Sequence, residues 1–329
     1  MKATKEMTRE NTTLGHLFED SFGVFIRETK KLPSLSRVQN WLSLLWCVPR
    51  HGVSPADYVY YKFNERSERE RATYLTMIRF ERFLKKVNTG DHEIFHNKLT
   101  FCEKYNTFLH RPWLDMNKTD FDSFAAFVQS EGTVICKPVD KSGGHGIFKY
   151  TCAPGEDLHP LFERCRGMLL ERVIEQHPAM AAYNPNCVNA LRLVTLIDRD
   201  GAPHLVDAFF RTGVTEAVVD NLCSGGIISH IDLDTGIVAN ESIGLNMQEF
   251  LRHPYSGEII PGFQIPYWKE AVALVLEAAL ITPDVRWVGW DVAVTAEGVC
   301  LVEGNDRAEC RSLQMADRKG LRPAVSALI

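Results

Sequence analysis

Apolar and polar positions change rhythm partway along the chain. Residues 66–88 are rich in charged helix formers, and Tyr74, Met77, Ile78 and Leu84 recur at helical spacing. This pattern predicts a helix over 66–88, stopped by Gly90-Asp91. Pro33, Pro49 and Pro55 punctuate the stretch before it, and residues 1–110 read as a mostly helical region. Near Pro112 the texture becomes that of short strands. An amphipathic helix is predicted at 121–129. Apolar runs bounded by Gly, Asn and Asp then predict strands at 133–136, 147–150, 168–174, 191–197, 205–210, 227–231, 288–295 and 299–303. Tight turns fall at 198–201 and 234–236, and the one long helix of this half is predicted at 267–280. Strands joined by hairpins with few helices between them predict an α+β fold, not a doubly wound parallel sheet.

Composition narrows the classes. A chain of 329 residues is long enough for about two domains. With 45% hydrophobic and 24% charged residues it is an ordinary globular sequence, neither disordered nor repetitive. A net charge of -5 with no basic domain argues against nucleic acid as a partner. The apolar run at 41–48 is too short to span a membrane, which takes about 20 residues. The N-terminus mixes both charge signs and does not read as a signal peptide. Nine cysteines with no C-x-x-C spacing read as reduced thiols of a cytoplasmic protein.

Four segments carry candidate chemistry. In the first, a predicted strand delivers Lys137, and the loop Ser142-Gly143-Gly144-His145-Gly146 follows. Such glycines let backbone N–H groups approach phosphate, and the lysine adds a point charge. Taken alone, the segment equally reads as a hairpin turn beside a surface lysine. The second is the hairpin 289–305. With Glu297 at the turn centre, Asp291 lies opposite Glu303 and Gly289 opposite Asn305. A period of two then puts Asp291, Glu303 and Asn305 on one face. Facing carboxylates repel unless a cation sits between them, and oxygen-only ligands suit Mg²⁺. The rival reading is a solvated acidic face. The third is Glu171-Arg172-Val173, an apolar strand running into charge; alone it is an ordinary strand end. In the fourth, Arg192 alternates with Leu191 and Leu193, so it either meets an anion or lies at an edge. Two further strings are read as coincidental. His92-Glu93-Ile94-Phe95-His96 fits H-E-x-x-H but follows Gly90-Asp91 and has no evident third ligand, and Asp232-Leu233-Asp234 is read as a hairpin turn.

Taken in order, Lys-Pro with a glycine loop, Glu-Arg-Val-Ile, Asn-Ala-Leu-Arg, Gly-Trp-Asp and Val-Glu-Gly-Asn resemble the ATP-grasp superfamily. The resemblance is to its sugar-transfer-associated group, related to the α-L-glutamate ligases, over residues 54–314. It implies two α+β lobes clasping ATP, at 111–169 and 170–329, behind a helical region at 1–110. It also implies roles. Lys98 and Lys137 would be the phosphate lysines, and Ser142, Gly143, Gly144 and Gly146 a loop over the phosphates. Glu171 with the backbone of Arg172 and Val173 would hold adenine, and Glu175 or His177 would reach the ribose. Arg192 would face the γ-phosphate, and Asp291, Glu303 and Asn305 would hold Mg²⁺. Asp220, Asn221, Gly225 and Gly226 would shape the acceptor site. The chain departs from the family pattern at Asn97, where Asp is usual, at Ala190, where Thr is usual, and at 306–311, where Asn-Pro-Gly is expected.

The implied activity is carboxylate–amine ligation through an acyl phosphate. The partners would be small-molecule carboxylate and amine substrates, in cell-surface polysaccharide or related biosynthesis. Two alternatives stay open: an ATP-grasp kinase with His230 or Asp220 as base, and a non-catalytic nucleotide-binding module. The oligomeric state is not readable from the sequence.

Overall fold

In the computed structural model, which describes residues 22–26, 28–29, 36–141, 145–216 and 225–329, the chain divides into two units. The first comprises residues 1–83 and 310–323, the second 84–309 and 324–329.

The first unit is helical. Its helices Arg37–His51, Pro55–Tyr60 and Glu68–Thr73 each start at a serine that closes a reciprocal capping box with the residue three positions on. The single helix expected over 66–88 is two helices, Glu68–Thr73 and Met77–Val87. The chain is extended at Tyr74, and both Tyr74 and the adjacent Leu75 are buried there. Gln314 takes over the hydrogen bonds lost at the break. Its Oε1 accepts from the Leu75 amide at 2.8 Å, and its Nε2 donates to the Leu75 carbonyl at 3.0 Å.

The second unit carries two antiparallel sheets. The strands are β1 (Trp113–Asp115), β2 (Thr133–Pro138), β3 (Phe148–Thr151), β4 (Met168–Arg172), β5 (Leu191–Ile197), β6 (Pro203–Thr212), β7 (Ile227–His230), β8 (Ser242–Gly244), β9 (Glu249–Phe250), β10 (Trp287–Thr295) and β11 (Gly298–Asn305). The smaller sheet has the order β1-β4-β2-β3, and the larger β11-β10-β5-β6-β7-β8-β9. Helices Phe121–Glu131 and His159–Arg164 cover the small sheet through Phe124, Val128 and Phe162. Helix Trp268–Ala279 and the aromatic group Phe101, Tyr105 and Trp290 belong to the core of the large one. Hairpins and antiparallel ladders with helices on their faces are the α+β architecture expected from the strand pattern.

The end of β10 is anchored from outside the sheet. Asn88 accepts from the Trp287 amide at 2.8 Å and donates to the carbonyls of Trp287 and Asp306 at 2.9 and 2.7 Å. The β10–β11 pairing places Asp291 opposite Glu303 and Gly289 opposite Asn305, the pairing that the period-two argument demands. It does so with an irregularity the argument did not contain. Asp291 pairs with Glu303 but Val292 pairs with Leu301, so Val302 is an extra residue in β11.

Candidate functional site

The small sheet contributes a buried ion cluster. Lys137 pairs with Leu169 and Ile135 with Glu171, so Lys137 and Glu171 project from one face. The Glu171 carboxylate accepts from Arg111 Nε at 3.1 Å and Nη2 at 2.7 Å, and meets Lys137 Nζ on its other oxygen. Burial alone would raise the Glu171 pKa. Arg111 and then Lys137 outweigh it and hold the carboxyl at about 2. Arg111 Nη1 also donates to the carbonyls of Leu109, at 3.1 Å, and Leu301, at 2.5 Å, so this guanidinium ties β4 to β11.

The large sheet contributes a second cluster on adjacent strands. Asp291 lies between Glu303 of β11 and Arg192 of β5. Arg192 grips it with Nε at 2.5 Å and Nη2 at 3.1 Å, and Arg211 Nη2 adds a third contact at 3.1 Å. Burial raises the Asp291 pKa, but the two guanidiniums outweigh it and hold the carboxyl below its ordinary value. Glu303 goes the other way, raised by surrounding protein and then by Asp291. Solvent reaches the outer side of Glu303, which makes the facing carboxylate the firmer of the two causes.

Lys98 joins the two clusters. Asn97, where the family pattern has Asp, caps the helix Lys98–Lys104 by accepting from the amides of Leu99 and Thr100 at 2.9 and 3.2 Å. The Lys98 amide donates to Val139 O at 3.3 Å, and its Nζ donates to Lys141 O. Burial lowers the Lys98 pKa, and Glu303 partly offsets it.

Other expected residues are placed as follows. The Arg192 guanidinium rests on Asp291, with its remaining N–H groups available for an anion. The Glu171 carboxylate is engaged by Arg111 and Lys137 and does not stand at an open edge. The Arg172 side chain pairs with Glu131, and its amide donates to Pro112 O at 3.1 Å, so that amide is already engaged. Glu175 is exposed. His177 Nδ1 accepts from the Ala179 amide at 3.1 Å and caps a short helix. Asn305 Oδ1 accepts from the Arg307 amide at 3.0 Å. Gly146 has φ +78°, and a Cβ there would lie 3.0 Å from Pro138 Cγ. Gly225 is exposed and Gly226 buried beside β7. Ser142, Gly143, Gly144, Asp220 and Asn221 lie outside the described residues.

Three groups went unnoticed in the sequence. Arg211 was missed because the strand expected to stop at Phe210 runs to Thr212. Arg111 sits between predicted elements and carried no signal. Asp207 faces His230 across the β6–β7 ladder at 3.2 Å, on the face that holds Arg192. The H-E-x-x-H string forms a helix of only four residues, Glu93–His96, and both histidines turn to Asp306, at 2.6 and 3.3 Å. Asp232 accepts from Thr235 N and Oγ1, at 2.9 and 2.6 Å, as a turn residue does.

Among the described residues no three His, Cys, Asp or Glu side chains converge as a self-sufficient metal site. The Asp291, Glu303 and Asn305 set still fits Mg²⁺. Its donors are all oxygen, the facing carboxylates repel, and such an ion ordinarily completes its shell with water and phosphate.

Residues 155–328 match the sugar-transfer associated ATP-grasp family. Among curated proteins no relative matches the chain. Similar solved structures include the ATP-grasp ligase PsnB complexed with minimal precursor, Mg and ADP, at 16% identity over 79% of this chain and 68% of that one, with a TM-score of 0.44. D-alanyl-alanine synthetase A from Vibrio cholerae shares 12% identity over 71% and 64%, with a TM-score of 0.41. N5-carboxyaminoimidazole synthase from Aspergillus clavatus, in complex with ADP and its ribonucleotide, shares 9% over 65% and 44%, with a TM-score of 0.40.

Proposed function

The chain belongs to the sugar-transfer associated ATP-grasp family, and from that premise we propose that it is an ATP- and Mg²⁺-dependent carboxylate–amine ligase. The observation that carries this reading is the arrangement of Arg192 and Arg211 around a buried Asp291 that faces Glu303, with Lys98 and Lys137 close by. Four cations gathered about a carboxylate pair suit a polyphosphate with its metal ion.

The strand domains at 111–169 and 170–329 would close on the nucleotide. Val173 to Glu175 would offer backbone groups to adenine, with Glu175 or His177 near the ribose. Lys98, Lys137 and the loop from Ser142 to Gly146 would neutralise the phosphates. Asp291, Glu303 and Asn305 would hold Mg²⁺, which supplies charge neutralisation on the phosphates when bound. The acceptor carboxylate attacks the γ-phosphorus and ADP leaves. The amine then attacks the acyl carbon, inorganic phosphate departs, and the amine nitrogen gives up a proton. Arg192 and Arg211 would stabilise charge on the transferring phosphoryl group and on the tetrahedral oxygen. Asp220, Asn221, Gly225 and Gly226 would border the acceptor. The substrate would be sugar-linked or an amino acid, and the family's association with sugar transfer supports the first. The eight described cysteines, all free thiols, support a reducing, cytoplasmic setting.

A second reading, phosphorylation of a hydroxyl, is favoured by one observation. His230 Nδ1 stands 3.2 Å from an Asp207 carboxylate oxygen, which brings a candidate base and a carboxylate together. The experiment is ADP release from Mg²⁺-ATP with pooled carboxylates, with and without amines, plus hydroxylamine. Carboxylate-dependent hydroxamate is the expected result. ADP release with a phosphorylated alcohol and no hydroxamate moves the assignment to the kinase.

A further inference from the structure

The H-E-x-x-H string has a target in the fold. His92 and His96 flank the four-residue helix Glu93–His96, and both reach Asp306, the buried residue after Asn305. His92 Nδ1 lies 2.6 Å from Oδ2 of that carboxylate, and His96 Nε2 lies 3.3 Å from Oδ1. An ionised carboxylate only accepts, so each ring nitrogen facing it is the one that donates. Both Asp306 oxygens are therefore engaged. Its backbone is held as well, because Asn88 donates to the Asp306 carbonyl at 2.7 Å.

This helix grips the end of β11 from the side opposite the carboxylate pair. Phe95 lies 2.9 Å from where a Cβ on Gly304 would stand, and its ring packs edge-on against Trp290, which pairs with Gly304. Alternation turns Gly304 toward the helix and Asn305, opposite Gly289, toward the side of Asp291. The turn that follows has no proline to fix its backbone, and contacts fix it instead. Asn305 Oδ1 accepts from the Arg307 amide at 3.0 Å, and Asn305 O accepts from the Ala308 amide at 3.3 Å. Ala308 O accepts from Trp287 Nε1 at 3.0 Å. The Ala308 methyl occupies the space that a Cβ on Gly289 would need, beside Arg192 Cδ.

We propose that His92 and His96 are positioning residues for the nucleotide and metal site. Through Asp306 they hold the turn that aims Asn305 Oδ1 and seats Ala308 beside Arg192. The proposal rests on the reading of Asn305 as a Mg²⁺ ligand. Arg307 takes one lone pair of Oδ1, and the other is aimed only as well as the turn is held.

Two double variants of the full chain test this. His92→Leu/His96→Leu removes both donors. His92→Asn/His96→Gln keeps an amide N–H near the place of each donating ring nitrogen. Hydrogen exchange reports the turn, and calorimetry with ADP, with and without MgCl₂, reports the ligand. In the leucine pair, amides of residues 304–309 should exchange about tenfold faster while those of 290–295 hold. The gain in ADP affinity on adding Mg²⁺ should shrink by about tenfold, with metal-free ADP bound within about twofold of wild type. The amide pair should restore both. Equal weakening of ADP with and without metal marks a merely structural role and overturns the proposal. So does unchanged exchange, or faster exchange with the full Mg²⁺ gain. If the leucine pair does not fold, His96→Leu alone removes the longer contact and should show smaller shifts of the same kind. A wild-type chain whose ADP affinity ignores Mg²⁺ overturns the metal reading and the proposal with it, whereas a wild-type Mg²⁺ gain that the leucine pair keeps overturns the proposal alone.

Discussion

Glu171→Gln keeps the shape of the side chain and removes its charge, so its cost is electrostatic. Two routes give the magnitude. The Glu171 carboxyl is held at about 2 against an ordinary 4.5, a shift worth about 3 kcal/mol at about 1.4 kcal/mol per pH unit. Independently, breaking a buried ion pair by removing one partner costs about 3–5 kcal/mol, because the other charge is stranded. Here the stranded groups are Arg111, buried between Glu171 and the Leu301 carbonyl, and Lys137. For a unit of this size, about 3 kcal/mol lowers the melting temperature by about 6–12 °C. The pH dependence has a defined sign. A depressed carboxyl pKa stabilises the fold fully above 4.5, and that contribution fades as pH falls toward 2. Thermal melts of wild type and Glu171→Gln should therefore differ most above pH 5 and converge on acidification. Replacing both Arg111→Met and Glu171→Met should recover part of the loss, since the more deeply buried cation is then gone and only Lys137 lacks its carboxylate. A gap below 2 °C at pH 7, or one that does not narrow in acid, would refute the reasoning.

Two further predictions follow from the large sheet. Asp291→Asn should weaken binding of Mg²⁺-ATP by at least about tenfold in calorimetry, while metal-free ADP binds no worse, because the change frees Arg192 and Arg211 for phosphate; equal loss for both ligands would count against the metal assignment. Gly289→Ala puts a methyl 2.4 Å from Ala308 Cβ and 3.1 Å from Arg192 Cδ, so it should cost about 1–3 kcal/mol in urea unfolding and reduce nucleotide affinity by displacing that arginine.

The site was legible where chemistry followed strand alternation. Asp291, Glu303 and Asn305 could be placed on one face because a hairpin fixes its own partners. Lys137 and Arg192 stood out because a charge inside an apolar strand needs a reason. What could not be read were contacts between distant segments. Nothing near Arg111 announces Glu171, 60 positions away, and nothing near His92 announces Asp306. The break at Tyr74 was hidden for the same reason. Helical spacing runs through it, and the hydrogen bonds that compensate it come from Gln314. Arg211 lay one residue past an expected strand end, where turn propensity and ladder pairing disagree.

Val302 has a consequence out of proportion to its chemistry. Leu301 and Glu303 are two apart, and in an unbroken strand they would share a side. The extra residue between them sends Leu301 into the apolar core beneath the sheet and Glu303 to the side of Asp291. It acts as a frameshift written in side chains. An unbroken ladder running on from the Val292–Leu301 pair would set Val302 opposite Asp291, leaving every proposed ligand in the sequence while turning Glu303 and Asn305 to the other side of the sheet. The bulge at Val302 is therefore as much a part of the site's specification as the identity of its carboxylates.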